Sequence, residues 1–318
     1  MAYWLGIDVG GTNLKAALVD DAGDIVVERV QDTPQQGSDA IIDVLVQLIR
    51  DVAADGRSSL PDLGGIGVGT PGPLDFDSGT VLNAPNLPGW ANLPLRARLE
   101  EATGRPVVLE NDANAAAYGE YRAARRHDPT VTDLVMVTLG TGIGTGLVVE
   151  GRVVHGGFGL AGEAGHMIVE TSGRPCACGQ RGCIEAYASA ASVVRRTREA
   201  LDAGEPSSLG ALTGPFSTRD IFQAVEAGDA LASRIADETA HYLGAFCVSL
   251  CRVLDPQRIV FGGGLAEAGL TLLERIRAAF DTLDWRLVPA KVQLVSAELG
   301  TRAGVIGAAA LAQDQARY

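Results

Sequence analysis

Leu5-Gly-Ile-Asp-Val-Gly-Gly-Thr-Asn-Leu-Lys-Ala-Ala-Leu-Val19 is an apolar run, a glycine-rich break and a second apolar run. At an offset of 130 residues stands Val135-Met-Val-Thr-Leu-Gly-Thr-Gly-Ile-Gly-Thr-Gly-Leu-Val-Val149, built the same way. Asp8 aligns with Thr138, Gly10 with Gly140 and Thr12 with Gly142. Apolar runs interrupted by glycine read as strand, turn and strand. Two copies of one such unit predict an α/β chain with two similar sheets in two domains that face across a cleft. The competing reading is chance likeness between glycine-rich hairpins.

Working outward, Ile25 to Val30 supplies a third strand and makes the opening an antiparallel meander. Residues 39–54 carry apolar side chains at helical spacing and read as a crossover helix. Leu63 to Gly69 is a buried strand. Its Gly67-Val-Gly-Thr-Pro-Gly72 matches the dinucleotide fingerprint, but Pro71, Pro73 and Gly79 prevent the helix that the fingerprint needs. A substrate loop is expected there instead. Segment 81–94 reads as a long ordered loop, 94–103 as a short helix, and 107–111 as a strand before a helix over 113–126. Helices are expected over 186–201, 218–227, 230–254, 270–280 and 304–312, with strands at 258–261 and 292–295. The expected division is residues 1–113 plus about 301–318 as a smaller domain, with 114–300 as the larger one.

A chain of 318 residues, 47% hydrophobic and 20% charged, is globular and not disordered. Its net charge of −13 argues against nucleic acid or anionic membranes as partners. No apolar run is long enough for a membrane span, because glycines interrupt 134–149. No secretory pattern opens the chain, and three of the five cysteines fall within eight residues. That density predicts a metal cluster in a reducing compartment, the cytoplasm, more than a disulfide framework.

The chemistry centres on Asp112, at the carboxyl end of the 107–111 strand, where α/β sheets collect ligands. It is expected to act as a general base toward a substrate hydroxyl; the plainer alternative is that it only caps the following helix. Glycine turns admit an anion to backbone N–H groups that a Cβ would screen. The two aligned turns therefore predict a nucleotide triphosphate site using Gly10, Gly11 and Thr12 with Gly140, Thr141 and Gly142. Asp8 suits an outer-shell role toward Mg²⁺. Lys15, one of only two lysines, is a candidate phosphate contact. His166, Cys176, Cys178 and Cys183 suit a closed tetrahedral Zn²⁺ site. Glu163, His166 and Glu185 flank that loop and offer the acceptors and donors that sugar hydroxyls need. Cys247 and Cys251 read as core residues of an apolar helix, and His127 and His241 as surface or helix residues.

Taken together, Asp8-Val-Gly-Gly-Thr12, Glu110-Asn-Asp112, Leu139-Gly-Thr-Gly-Ile-Gly-Thr-Gly146 and Glu163-Ala-Gly-His166 with Cys-x-Cys-x4-Cys-x-Glu185 resemble the ROK family within the actin-like ATPase superfamily. The resemblance runs from Gly6 through Glu185 and resumes near Gly262. It implies two actin-like, ribonuclease-H-like ATPase domains and ATP-dependent phosphorylation of a hexose. It also implies a sugar site of Asn86, Asn111, Asp112, Glu163, His166 and Glu185, with Gly262, Gly263 and Gly264 bordering the adenosine. Repressor members carry a DNA-binding region ahead of the first phosphate motif, and none is expected here. Among the kinases, the Asn-Ala-Pro-Asn-Leu87 stretch and the complete zinc motif look most like the ATP-dependent glucokinases. Fructose, allose, N-acetylglucosamine and N-acetylmannosamine kinases share nearly the same residues, and a sugar sensor of the same fold is the non-enzymatic alternative. Polyphosphate as donor stays open, and a homodimer or homotetramer is expected from the apolar later helices.

Overall fold

The structure, a computed structural model, describes residues 2–56, 60–212, 214–266 and 270–316. The expected smaller domain, reaching from residue 1 to residue 318, thus extends past the described residues at both ends. Two compact units emerge: Met1–Thr132 with Gly146–Ala161 and Glu298–Tyr318, and Asp133–Thr145 with Gly162–Ala297. The first division falls after Thr132, not after residue 113.

In the first unit, β1 (Tyr3–Val9), β2 (Asn13–Asp20), β3 (Ile25–Asp32), β4 (Leu63–Thr70) and β8 (Val107–Asn111) form a sheet of order β3-β2-β1-β4-β8. β1 pairs antiparallel with β2 and parallel with β4, and β4 pairs parallel with β8. The period-2 alternation of strands sorts their side chains. Leu5, Ile7 and Val9 of β1 and Ile66 and Val68 of β4 enter the larger core, together with Ile41, Leu45 and Ile49 of helix α1 (Ser38–Asp55).

The other face of the same sheet carries Trp4 and glycines, because α9 (Ala303–Gln315) lies almost on the backbone. A Cβ at Gly6 would run into the carbonyl of Val305, and one at Gly67 into that of Ala308. Gly69 would bring a Cβ within 3.2 Å of the Ala115 methyl. Gly67 and Gly69 of the false fingerprint therefore serve helix-on-sheet packing, while Gly72, at φ 90°, lies against the Asn83 backbone. Helix α3 (Asp112–His127) belongs to this unit for the same reason. Gly119 faces the Ala303 carbonyl, and Gly307 of α9 faces that of Ala115, so α3 and α9 pack closer than larger residues allow.

Segment 74–93 is more regular than expected. It holds β5 (Leu74–Asp75), β6 (Thr80–Asn83) and β7 (Ala91–Leu93) as a small antiparallel sheet, followed by α2 (Leu95–Thr103). Its turn is anchored by buried Trp90, whose Nε1 donates to Thr70 Oγ1 at 2.9 Å.

The second sheet has β9 (Leu134–Leu139), β10 (Ile143–Val149), β11 (Arg152–Val153), β12 (Arg258–Gly262) and β13 (Gln293–Ser296), in the order β11-β10-β9-β12-β13. β9, β12 and β13 run parallel. The hairpin β9–β10 corresponds to β1–β2, so the repeat is a repeat of topology as well as of sequence. The helix expected over 186–201 is broken at Ser189 into α4 (Glu185–Ala188) and α5 (Ala190–Asp202), because Ser189 is extended and caps α5 through Ser192 N–H. After α6 (Thr218–Glu226), α7 (Ala230–Leu254) packs on α8 (Leu270–Leu283), where a Cβ on Gly244 would lie 2.8 Å from that of Ala279. Cys247 and Cys251 are buried in α7, as expected of core residues, and burial pushes both thiols up. No helix among the described residues is long and apolar enough to cross a membrane.

Candidate active site

The first unit gathers its polar groups at the carboxyl ends of β1, β4 and β8. Asn111, the last residue of β8, is the N-cap of α3: its Oδ1 accepts from Ala113 N at 2.9 Å and Asn114 N at 3.2 Å. Asp112 therefore sits inside the first turn and is not the capping residue. It is half-buried, and its Oδ1 also accepts from Ala113 N at 2.9 Å. An acid in a first helical turn is favoured by the amide end of the helix, which steadies its charge. Behind it, Glu110 is only 3% exposed. Glu110 Oε1 accepts from Asn111 N at 2.8 Å and Asn114 Nδ2 at 3.0 Å, while Oε2 faces His155 Nε2 at 2.7 Å. Glu110 entered the sequence reading only as part of the Glu110-Asn-Asp112 motif, and neither it nor His155 was given a role; the one available clue was a carboxylate inside an otherwise apolar strand.

Asp8, one residue before the end of β1, stands directly opposite Lys15 of β2, and the two side chains lie 3.9 Å apart. Lys15 Nζ also donates to the Thr301 carbonyl at 2.9 Å. Burial raises the Asp8 carboxyl above its ordinary value, and Lys15 opposes that shift. The first glycine turn is closed by Gly10 N donating to Asn13 O at 2.9 Å. Thr33 holds it from outside, with Oγ1 on the Gly10 carbonyl at 2.6 Å and its N–H on the Thr12 carbonyl at 2.8 Å. Asn86 is exposed on the turn that Trp90 anchors, and its carbonyl lies 3.3 Å from where a Cβ of Gly11 would be. Asp8, Gly10, Gly11, Thr12, Lys15 and Asn86 are thus neighbours within this unit.

In the second unit, Gly140 N donates to Gly142 O at 3.0 Å and closes the second turn. Gly262, at the end of β12, pairs in register with Thr138, and Leu265 N donates to Leu139 O at 2.9 Å. Gly263 has φ 88°, a left-handed value that glycine adopts without strain. Residues 140–142 and 262–264 are thereby brought side by side at adjacent strand ends. Glu185 closes the same corner: its Oε2 accepts from Ile143 N at 2.9 Å, and its Oε1 lies 3.5 Å from Cys176 Sγ.

The Glu163–His166 turn is fastened to β10 by Thr145, whose Oγ1 donates to the Gly162 carbonyl and accepts from Ala164 N at 3.0 Å. Gly165 is required there, because a Cβ would run into the Ile143 carbonyl. Glu163 is exposed at the start of the turn. His166 turns Nδ1 toward Cys176 Sγ at 3.7 Å, and Cys178 and Cys183 sulfurs are 3.7 Å apart. All four ligand atoms lie within 4.8 Å of one another. For a tetrahedral ion with bonds of about 2.3 Å to sulfur and about 2.0 Å to nitrogen, the sulfur–sulfur and sulfur–nitrogen edges should be about 3.8 and about 3.5 Å. The cluster fits a metal ion. Burial is the chief cause that pushes the Cys176 thiol up to about 12.

Residues 4–315 match the sequence pattern of the ROK family. The chain is 38% identical to the glucokinase of Halalkalibacterium halodurans, covering 98% of this chain and 96% of that protein. It is 34% identical to the N-acetylmannosamine kinase of Shigella boydii, over 98% of each. Among solved structures it resembles a ROK family glucokinase from Streptomyces griseus in complex with glucose and AMPPNP, with a TM-score of 0.82, 33% identity, and coverage of 98% of this chain and 100% of that one.

Proposed function

The chain belongs to the ROK family, has its two-domain actin-like fold and is an ATP-using sugar kinase, and we propose that its sugar is glucose, phosphorylated at the 6-hydroxyl with Asp112 as general base. The observation that carries this reading is the β8 strand end. Asn111 caps α3, so the carboxylate of Asp112 is not needed for that task and suits proton abstraction from a bound alcohol. Asn86, Asn111, Glu163, His166 and Glu185 are the residues we assign to the sugar hydroxyls. The turns of Gly10, Gly11 and Thr12 and of Gly140, Thr141 and Gly142 are assigned to the phosphates, with Lys15, and Gly262–Gly264 to the adenosine side. Mg²⁺, with Asp8 in its outer shell, would supply neutralisation of the phosphate charge.

The tetrahedral set of His166 and three cysteines suits Zn²⁺, which would order a loop that has little core of its own. Such free thiols suit a reducing compartment, and we place the reaction in the cytoplasm. The reaction is in-line transfer of the γ-phosphoryl group. Asp112 takes the hydroxyl proton, which should contribute ~10²–10⁴-fold, and the amide-lined turns stabilise charge on the moving group. Glucose is favoured over N-acetylmannosamine by the higher identity to a glucokinase, 38% against 34%.

The test is ADP release measured across glucose, N-acetylmannosamine, N-acetylglucosamine, fructose and allose. Glucose should have the highest kcat/KM, by at least about tenfold, a difference of ~1.4 kcal/mol in transition-state binding. Faster turnover of another sugar would overturn the choice of glucose.

A further inference from the structure

We infer that His155 is a positioning residue for the catalytic turn, acting through its contact with Glu110, and this rests on the reading of Asp112 as base. Glu110 precedes Asp112 by two residues and is almost fully buried, yet it carries a carboxylate. One of its oxygens holds the backbone N–H of Asn111 and the side chain of Asn114, which bracket Asp112. The other oxygen meets His155 Nε2 at 2.7 Å. A buried carboxylate is costly unless paired, and among the described residues His155 is the cationic partner it has.

His155 is itself held in place. It follows β11, and its ring lies 4.0 Å from that of Phe76, between centroids. Its carbonyl accepts from Ala161 N at 3.0 Å. The chain from β11 thus braces the turn that bears Asp112.

The bond to Glu110 raises the His155 ring above its ordinary value, and burial opposes that shift. The charged pair is therefore complete at and below about pH 6.5, the ordinary histidine value, and is lost as pH rises through the higher folded value. Other ionisable groups on the same cavity are Arg96 of α2, Glu150 and Arg152 of the β10–β11 hairpin, Tyr118 and Tyr121 of α3, and Asp314 of α9. Of these, Arg96 is engaged by the carbonyls of Phe76 and Asp77, and Asp314 by Tyr118 and Arg122. Glu110 is the group in contact with the imidazole.

The test uses the full chain, whose four histidines allow each ring to be followed by NMR. His155 should titrate above ~6.5 and fall back toward that value in Glu110→Gln. In steady-state assays the wild type should lose kcat on the alkaline side through the His155 midpoint, with KM for ATP within about twofold. His155→Phe, which removes the donor, should lower kcat by roughly tenfold or more, because small displacements of a catalytic group are costly. His155→Gln retains an N–H for Glu110 and should recover part of kcat without that alkaline limb. Wild-type kcat and an unchanged limb in His155→Gln would overturn the inference, as would a His155 midpoint indifferent to Glu110→Gln. The titration needs no active enzyme, and Asp112→Asn tests the base by itself, so the two readings can fail separately.

Discussion

The two sheets share a strand order, yet they hold their functional groups by different means. In the first unit, Asp112 stands on the joint between β8 and α3, with Asn111 as helix cap and buried Glu110 behind it. Its backbone is held by strand, helix and the hydrogen bonds of Asn111 and Glu110, with His155 on the far oxygen of Glu110. In the second unit, Glu163 and His166 sit on a turn tied to β10 by Thr145 and then to a chain segment of isolated bridges, Ile168 to Cys183 and Pro175 to Arg181. That segment has tight turns at Gly179 and Gly182, both with positive φ, in place of regular structure. One scaffold thus offers a strand end on one copy and a loop gathered around a His/Cys cluster on the other. The aligned pair Asp8 and Thr138 shows the same divergence: an acid where a cation would be met, a neutral hydroxyl at the matching place.

If that contrast is real, the largest effect comes from chemistry removed without structure. Asp112→Asn keeps the side-chain size and leaves the Asn111 cap intact. Turnover should fall by at least about a hundredfold, the lower end of what a general base contributes. Sugar binding, read by calorimetry, and the melting temperature should hardly change, since a first-turn acid is worth only ~0.3–1 kcal/mol to a helix. Near-normal turnover in this variant would remove the base.

The second unit should break differently. Cys178→Ser, or a strong chelator, should release the metal from His166 and the remaining cysteines, measurable by atomic absorption. Sugar affinity should then fall by roughly tenfold, a loss of ~1.4 kcal/mol, because Glu163, His166 and Glu185 depend on the ordered loop. The first sheet should keep its hydrogen-exchange protection, since its core contains no residue of the loop. Unchanged sugar affinity in a metal-free protein would separate the cluster from the sugar site.

A smaller and purely structural effect belongs to Gly67. A Cβ there meets the Ala308 backbone, which cannot give way as a flexible side chain would. Gly67→Ala should cost about 1–3 kcal/mol in urea denaturation, in line with overpacking elsewhere. A neutral result would mean that α9 can retreat from β4.

Much of this was legible beforehand, for reasons that differ by region. Helix α7 was readable to the residue, because a long apolar stripe and a clear break define it. The repeat was readable because glycine turns at fixed offset survive as a pattern. What escaped is mostly short or tertiary. β5 and β7 span two and three residues, too few for periodicity to register, so their segment looked like a loop. Ser189 splits one helical pattern through a local extended ψ that its neighbours do not announce. The place of α3 depends on glycines of α3 and α9 meeting each other, a contact between residues nearly two hundred positions apart. Glu110 and His155 are 45 residues apart and meet only in the fold. At Asp112, the alternative that this residue only caps the helix fell to the fold, since Asn and Asp are both good caps and only the backbone geometry at Asn111 decides between them.

The finest comparison is between the two aligned glycines, Gly10 and Gly140. A Cβ at Gly10 would lie 2.8 Å from the Asn13 carbonyl, so that glycine is required by its own turn. At Gly140 a Cβ would meet nothing within 4 Å among the described residues, and its φ is not in the left-handed region, so the described fold tolerates alanine there. A ligand seated on this turn would explain why the position lacks a side chain. Gly140→Ala should therefore leave stability within ~0.5 kcal/mol, as for substitutions away from special features. It should also raise KM for ATP several-fold with little change in KM for the sugar. Gly10→Ala, by contrast, should lose stability and activity together. If Gly140→Ala bound ATP normally, the second turn would be a hairpin turn and no more, and the likeness between the two copies would be one of fold without shared use.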